Sequence, residues 1–316
     1  MKRLLSLLVA LTVVLAATGA IAADFPAKNV KLIVPFSAGG GTDAVARSLA
    51  SVAEKYLGQP VVIINKTGGS GAVGMTEGAM SKKDGYTVTM VTREIAWLFQ
   101  MGLAQVKPSD FDAIALVNED PAIVLVRPDS EFQSVEKLIE SAKADSGSVK
   151  FASTAKPNFY LLALELNQNV TFNQIPYNGA AEAIPAVMGG HVDFTMVNPG
   201  EAISQIQAKQ LKALGVCSDA RLAGLPEVPA MTELGYPIVT GTWRGLAVPK
   251  GTPEDVKATL EDAFAKAVAD PEFQGFMDKR KLGIRYMDSK NFTSFMDKDV
   301  EGLTAIVEAV KKQQGK

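Results

Sequence analysis

Buried strands and amphipathic helices alternate along the chain, and this alternation restricts the folds open to it. Residues 30–35 form a short apolar run typical of a buried strand, and residues 42–57 place apolar side chains at helical spacing. Residues 61–64 and 86–91 predict two further strands, with a short helix over 71–80 between them. The order strand, helix, strand, helix, strand is that of a doubly wound α/β unit.

A second unit of the same kind follows. We predict apolar strands at 113–117 and 122–126, separated by the polar stretch 118–121, where the chain would leave the first unit. An extended segment at 238–248 would return it there. The elements predicted between are helices at 135–144, 158–167, 180–188 and 199–209 and strands at 150–153, 192–197 and 211–216; helices at 256–269 and 291–312 would then cover the first sheet.

The length of the chain, 316 residues, exceeds the size at which single cores usually stop growing. We therefore predict an α/β protein of two lobes, each a doubly wound sheet with flanking helices, joined by two crossovers. Lobe 1 would comprise residues 24–125 and 245–316, and lobe 2 residues 126–244.

Residues 1–22 have the pattern of a secretory signal peptide. Lys2 and Arg3 precede an uncharged run at 4–17, and the small residues Ala20 and Ala22 stand before the expected cleavage site. The run is shorter than the roughly 20 residues that cross a bilayer, which disfavours a membrane anchor. We expect cleavage after Ala22 and export of a soluble protein.

Composition excludes several functions. The chain carries 32 basic and 34 acidic residues, and loss of Lys2 and Arg3 would make it more acidic, which disfavours nucleic acid as a partner. One cysteine, Cys217, and one histidine, His191, leave no ligand set for zinc. No nucleophile motif accompanies His191. We predict no enzymatic activity, no metal and no cofactor.

Three successive glycines, Gly39, Gly40 and Gly41, stand between the first predicted strand and its helix. Their N–H groups are unscreened, and a helix N-terminus adds partial positive charge, so an anion could bind there. Ligands of open α/β sheets bind at this position. The alternative is a flexible turn capped by Thr42 or Asp43, but a cap requires no glycine triplet. We therefore favour an anion-binding loop.

A second glycine cluster at 68–74 contains Ser70 and a formal G-x-G-x-x-G match. The match could indicate a dinucleotide site. Its glycines begin well past the preceding strand, however, and an exported protein would meet little NAD. A general anion-binding loop needs the same glycines, and we favour that interpretation.

Segments along nearly the whole chain after residue 22 carry a family resemblance. They are KLIVPF at 31–36, GGGTD at 39–43, GQPVV at 58–62, DGYT at 84–87, PYNG at 176–179, GGHVD at 189–193 and GTP at 251–253. In this order they resemble the Bug-type receptors of tripartite tricarboxylate transporters. The resemblance implies a type II periplasmic binding protein fold that closes on a small carboxylate, a periplasmic location, and the transporter's membrane subunits as partners. Among carboxylates we favour a di- or tricarboxylate. We expect a monomer.

The resemblance also implies ligand contacts from the loop at 37–43, the loop near Ser70 and the loop starting at Ser153. The residues expected to bind ligand are Phe36, Ser37, Gly39, Gly40, Gly41, Thr42, Asp43, Ser70, Thr92, Arg93, Ser153, Thr154, Lys156, Asn158, Tyr177 and Asn198. The third loop departs from the family's glycine-rich turn, because Lys156 adds a cation there.

Arg93 and Lys156 are candidates to bind a second ligand carboxylate. Arg93 offers a planar grip on two oxygens, whereas Lys156 offers a point charge, and we favour Arg93. The alternative is that both are solvated surface residues. A receptor that reports its ligand to a membrane sensor kinase would use the same cleft, so the sequence leaves that alternative open.

Overall fold

The computed structural model describes residues 25–155 and 157–313. The predicted signal peptide at 1–22 lies outside these residues. The strands are β1 (Val30–Val34), β2 (Val61–Asn65), β3 (Thr87–Thr92), β4 (Phe111–Pro121), β5 (Ile123–Val126), β6 (Lys150–Ser153), β7 (Asn173–Pro176), β8 (Phe194–Val197), β9 (Lys212–Val216), β10 (Gly241–Pro249) and β11 (Met287–Asp288). The helices are α1 (Gly41–Leu57), α2 (Ala72–Ala79), α3 (Ile95–Leu98), α4 (Val135–Ala144), α5 (Phe159–Gln168), α6 (Ala180–Met188), α7 (Pro199–Gln207), α8 (Glu254–Ala269), α9 (Pro271–Lys279) and α10 (Ser289–Gln313), with 3-10 turns at Gly69–Gly71 and Pro108–Asp110.

The first sheet has the strand order β11-β4-β10-β3-β1-β2. β1 is parallel to β2 and β3, and β10 is antiparallel to β3 and β4. Helices α1, α8 and α9 cover one face, where Leu49, Phe264 and Phe273 are buried. Helices α2, α3 and α10 cover the other around Trp97 and Trp243. Both faces are therefore covered, as in a doubly wound sheet.

The second sheet has the order β7-β6-β8-β5-β9. β6 is parallel to β7 and β8, and β5 is antiparallel to β8 and β9. Helices α4 and α5 pack on one face with Leu138 and Leu161, and α6 and α7 on the other with Ile184 and Ile203. The predicted two-lobed α/β class is confirmed. No described helix has both the length and the apolar character needed to span a membrane.

One predicted boundary is wrong. Residues 118–121 do not separate two strands but continue β4 as one strand. Asn118 and Asp120 are buried within it, because the guanidinium of Arg244 on β10 binds both side chains. A polar stretch can remain in a buried strand when its side chains have such partners.

The chain passes from the first sheet to the second at Ala122, directly after the polar stretch 118–121. The Ala122 N–H donates to the Thr240 carbonyl at 2.9 Å, and the Ala122 carbonyl accepts from the Cys217 N–H at 2.8 Å. The outgoing and returning connections therefore lie side by side.

Cys217 is buried, as predicted for a small apolar residue, and burial raises the pKa of its thiol to about 12.

Candidate functional site

A polar cavity lies between the two sheets, beyond the carboxyl ends of β1, β3, β6 and β8. Its volume is about 30 Å³. It is lined by Phe36, Ser37, Gly40, Gly41, Thr42, Thr92, Glu94, Thr154, Tyr160, Gly179, Ala180, Asn198, Glu201, Thr242 and Arg244. Connections from both sheets contribute to this lining. The carboxyl ends of the strands are the usual place for ligands in α/β proteins.

About half of the residues expected from the sequence line this cavity. They are Phe36, Ser37, Gly40, Gly41, Thr42, Thr92, Thr154 and Asn198. They come from loops far apart in the chain and meet because parallel strands present their carboxyl ends at one edge of each sheet. Whether they bind ligand stays a prediction.

Asp43 supports the first loop from behind. Its buried carboxylate accepts hydrogen bonds from Gly39 N–H at 2.9 Å, Arg47 Nε at 2.8 Å and Asn65 Nδ2 at 2.9 Å. Burial alone would raise the pKa of Asp43, but these hydrogen bonds hold it below its ordinary value. Asp43 and Gly39 therefore fix the loop's shape and do not line the cavity.

Other expected residues also lie around the cavity without lining it. Asn158 caps α5, its Oδ1 accepting from Tyr160 N–H at 3.0 Å and Leu161 N–H at 3.2 Å. Ser153 is buried and donates to the Ala155 carbonyl. Tyr177 packs against the α6 and α7 side of the second sheet.

The second glycine cluster supports the first loop by packing. A Cβ on Gly71 would lie 3.3 Å from the ring of Phe36, and Ser70 stands in the 3-10 turn beside it. Ser70 does not line the cavity. Lys156 lies outside the described residues, so its role in binding the ligand stays a prediction.

The prediction for Arg93 needs correction, because its guanidinium turns away from the cavity. Nε and Nη2 of Arg93 donate to the Asp299 carboxylate at 3.2 and 3.0 Å, and Nη1 donates to the Gly241 carbonyl at 2.9 Å. Asp299 also accepts from Trp243 Nε1 at 2.8 Å. Arg93 thus ties β3 to α10 and β10. Asp299 stands 206 residues away, so no local spacing in the sequence could indicate this pair.

The arginine that reaches the cavity is Arg244, which the sequence analysis missed. It is 2% exposed. Its Nε donates to Thr42 Oγ1 at 3.0 Å, and its Nη1 donates to Asp120 Oδ2 at 2.9 Å and to Asn118 Oδ1. Its Nη2 donates to Asn198 Oδ1 at 2.8 Å. The available signal was a charged residue inside an otherwise apolar extended segment.

Glu201 lies on helix α7, which packs on the second sheet, and its side chain binds the loop at 37–43. Its Oε1 accepts from Gly41 N–H at 3.0 Å, and its Oε2 accepts from Asn198 N–H at 2.8 Å. A Cβ on Gly41 would lie 2.6 Å from Glu201 Cγ, so this approach requires glycine. Burial raises the pKa of Glu201, although Arg244 at 3.7 Å opposes the shift.

The glycine triplet therefore offers fewer donors than expected. Gly39 N–H donates to Asp43, Gly40 N–H to the Ser37 carbonyl, and Gly41 N–H to Glu201. Protein groups already bind the N–H groups on which the anion site was predicted. The structure adds a second helix N-terminus at the cavity, because Gly179 and Ala180 begin α6.

Two α/β sheets with a polar cavity between them, lined from both sides, define a two-lobed solute-binding protein. Residues 45–311 match the family described as TctC, the tripartite tricarboxylate transporter family receptor. The chain belongs to this family.

Several known proteins are similar to this chain. BugT of Bordetella pertussis is 33% identical over 252 residues, covering 77% of each chain. A ligand-free TctC solute-binding protein from Polaromonas is 33% identical, with a TM-score of 0.66 over 90% of this chain and 99% of that one. MatC from Rhodopseudomonas palustris with bound malate is 25% identical, with a TM-score of 0.84 over 90% of this chain and 100% of that one.

Proposed function

We propose that this protein is a periplasmic receptor that captures a small carboxylate in the cavity and delivers it to a tripartite tricarboxylate-type membrane transporter. The observation that carries the proposal is that helix α1, from the first sheet, and helix α6, from the second, both direct their N-termini to one cavity. A helix N-terminus has about half a positive charge and N–H groups without intrahelical acceptors.

The carboxylate would bind chiefly at the α6 side. Ala180 is the first residue of α6 and lines the cavity. Opposite it, Ser37 Oγ is buried without a hydrogen-bond partner among the described residues. A Cβ on Gly179 would lie 3.0 Å from Ser37 Oγ, so the two loops approach closely. A carboxylate here would accept from Ala180 N–H and Ser37 Oγ, and burial would strengthen both bonds.

Closure of two lobes on the ligand is part of the proposal. Following the two sheets, we divide the described residues into lobes of 25–121 with 241–313, and 123–155 with 157–240, in place of the bounds 24–125 with 245–316 and 126–244 expected from the sequence. The ligand-free Polaromonas protein superposes less well than the malate-bound MatC despite its higher identity. A different angle between lobes lowers a whole-chain superposition in this way, and hinge closure around a ligand is a common motion of such proteins.

The ligand class and the partner follow from the relatives. Malate in MatC supports a carboxylate ligand, and membership of a transporter-receptor family supports membrane subunits as partners. Receptor-dependent uptake of the bound carboxylate into vesicles containing those subunits would test delivery. Ligand-dependent activation of a sensor kinase without uptake would favour signalling instead.

Substitution of Ala180 by proline tests the binding position. Proline is tolerated at the first position of a helix, so Ala180→Pro removes one N–H donor while α6 remains. A hydrogen bond to a charged group contributes about 1.5 to 3 kcal/mol, so calorimetry should show carboxylate affinity about 10- to 100-fold weaker. Ala180→Gly keeps the donor and is the control. Equal affinities in the two variants would contradict the proposal.

A further inference from the structure

The two lobes also contact each other through apolar side chains outside the cavity. The rings of Trp97 on α3 and Phe159 on α5 stack, with their centroids 4.5 Å apart and an interplanar angle of 26°. Trp97 belongs to the first lobe and Phe159 to the second. Trp97 is 1% exposed and Phe159 is 8% exposed, and neither lines the cavity. The stack therefore joins the lobes without forming part of the cavity wall.

Helix α5 presents different faces to the two lobes. Leu161 and Leu164 pack into the core of the second lobe. Phe159 and Leu162, three residues apart on another face, pack instead into the apolar cluster of the first lobe. Tyr160 lies between these faces and lines the cavity. The first turn of α5 thus belongs to the second lobe and fills an apolar site on the first.

The site that receives Phe159 is anchored in the first lobe. Trp97 shares its apolar cluster with Met75 on α2 and Val307 on α10, which are both buried. Gln100, two residues after α3, donates from Nε2 to the Val300 carbonyl of α10 at 3.0 Å. Trp97 therefore stays with the first lobe when the lobes separate, and separation exposes apolar surface of both rings to water.

We propose that the stack of Trp97 on Phe159 is an aromatic clasp that holds the lobes together and sets how readily the cavity opens. Aromatic pairs contribute beyond the area that they bury, by an amount equivalent to about 2- to 12-fold in an equilibrium constant. Burial of the two rings adds to this factor. The clasp lowers the population of the open form without touching the ligand. The inference rests on the proposed function, because it assumes that the lobes separate to admit a ligand.

Hydrogen exchange of the Gly41 amide measures separation of the lobes. Gly41 is the first residue of α1, so its N–H has no acceptor within the helix. Its acceptor is Glu201 of the second lobe, at 3.0 Å. Separation breaks this hydrogen bond, so the exchange rate reports the open population. The Asn198 N–H binds Glu201 at 2.8 Å within the second lobe and provides an internal reference.

Substitution of Phe159 tests the clasp. Without added carboxylate, the Gly41 amide should exchange about 10-fold or more faster in Phe159→Ala than in the wild type, because opening no longer separates two stacked rings. The Asn198 amide should exchange at an unchanged rate. Phe159→Leu keeps apolar volume but not the stack, so it should give a smaller increase, and it serves if the alanine variant does not fold. Nuclear magnetic resonance resolves the two amides.

Phe172→Ala is the matched control. Phe172 is 3% exposed and packs edge-on against Phe194 with ring centroids 5.0 Å apart, and both rings lie in the second lobe. This variant should lower the thermal midpoint of unfolding but leave exchange at Gly41 unchanged.

Three results would overturn the inference: an unchanged Gly41 rate in both Phe159 variants, an equal increase in Phe172→Ala, or a Gly41 amide that exchanges without protection in the wild type. These measurements use no ligand. The proposed function is therefore decided separately, by whether the wild-type protein binds a carboxylate.

Discussion

At the scale of single residues, two arginines show how burial and partners decide a role. Arg93 and Arg244 both lie near the cavity. Asp299 binds the guanidinium of Arg93 outside the cavity, whereas Asp120 and Asn198 hold the guanidinium of Arg244 in the cavity wall. Arg244 bridges the sheets, because Asp120 belongs to the first and Asn198 follows a strand of the second.

Replacement of Arg93 tests its structural role. The Arg93 and Asp299 side chains are 23% and 13% exposed, so Arg93→Ala leaves a partly buried carboxylate without its main partner. We expect the free energy of unfolding to fall by about 1 to 3 kcal/mol and ligand affinity to change little. Urea denaturation and calorimetry measure the two effects.

Arg221 provides the matched control for this variant. It pairs with Glu233 at 46% and 40% exposure, and exposed pairs contribute about 0 to 1 kcal/mol. Arg221→Ala should therefore cost less stability than Arg93→Ala. A large loss of ligand affinity in Arg93→Ala with unchanged stability would restore Arg93 as a ligand residue.

At the scale of elements, helix α5 joins the cavity to the second sheet. Asn158 caps its N-terminus beside the cavity. Near its other end, the Glu165 carboxylate accepts from the Phe172 N–H at 2.8 Å, just before β7. Burial raises the pKa of Glu165 to about 7. The helix therefore contains an acid that titrates near neutral pH.

Glu165 should make stability depend on pH. Its folded-state pKa lies above its unfolded value, so the folded protein binds the proton more tightly, and the free energy of unfolding falls as pH rises from about 4.5 to 7. Above this range the buried Glu165 carboxylate is ionised and lowers the free energy of unfolding, by on the order of 2 kcal/mol. Glu165→Gln carries no charge at any pH, so the variant should be more stable than the wild type near pH 8. Denaturation at several pH values, with Glu140→Gln as the exposed control, measures it. An unchanged pH profile would contradict the assignment.

At the scale of the whole molecule, contacts between the sheets meet at the cavity. Gly41 N–H binds Glu201, Arg244 binds Asn198, and Ser37 N–H binds the Asn178 carbonyl at 3.4 Å. The connections at Ala122 and Thr240 are hydrogen-bonded to each other, and the proposed closure would turn about them. Opening about this hinge would break the contacts at the cavity and leave the hinge intact.

Small-angle scattering tests this motion. We expect the radius of gyration to decrease when a carboxylate ligand binds, because groups from both lobes are then satisfied together. Glu201→Ala removes the carboxylate that binds Gly41, so the ligand-free variant should be more open than the wild type. Identical dimensions with and without bound ligand would rule out closure.

The sequence by itself determined most of the elements in their order, the two-lobed class and several of the loops that reach the cavity, but it missed the strands β7 and β11 and the helix α3. These follow from local patterns: apolar periodicity defines strands and helices, and parallel strands carry their following loops to one edge. Helix α9 was missed although Asp270 and Pro271 form a helix start, with Asp270 accepting from Glu272 N–H at 2.8 Å.

Only the tertiary structure decided which charges line the cavity. Arg244, Glu201 and Glu94 lie on different elements, and their roles depend on partners far away in the chain. Gly41 and Glu201 are 160 residues apart, and Arg93 and Asp299 are 206 apart. Whether a charged side chain lines a cavity or pairs elsewhere depends on which oppositely charged group the fold brings within a few ångströms, and no local pattern contains that distance.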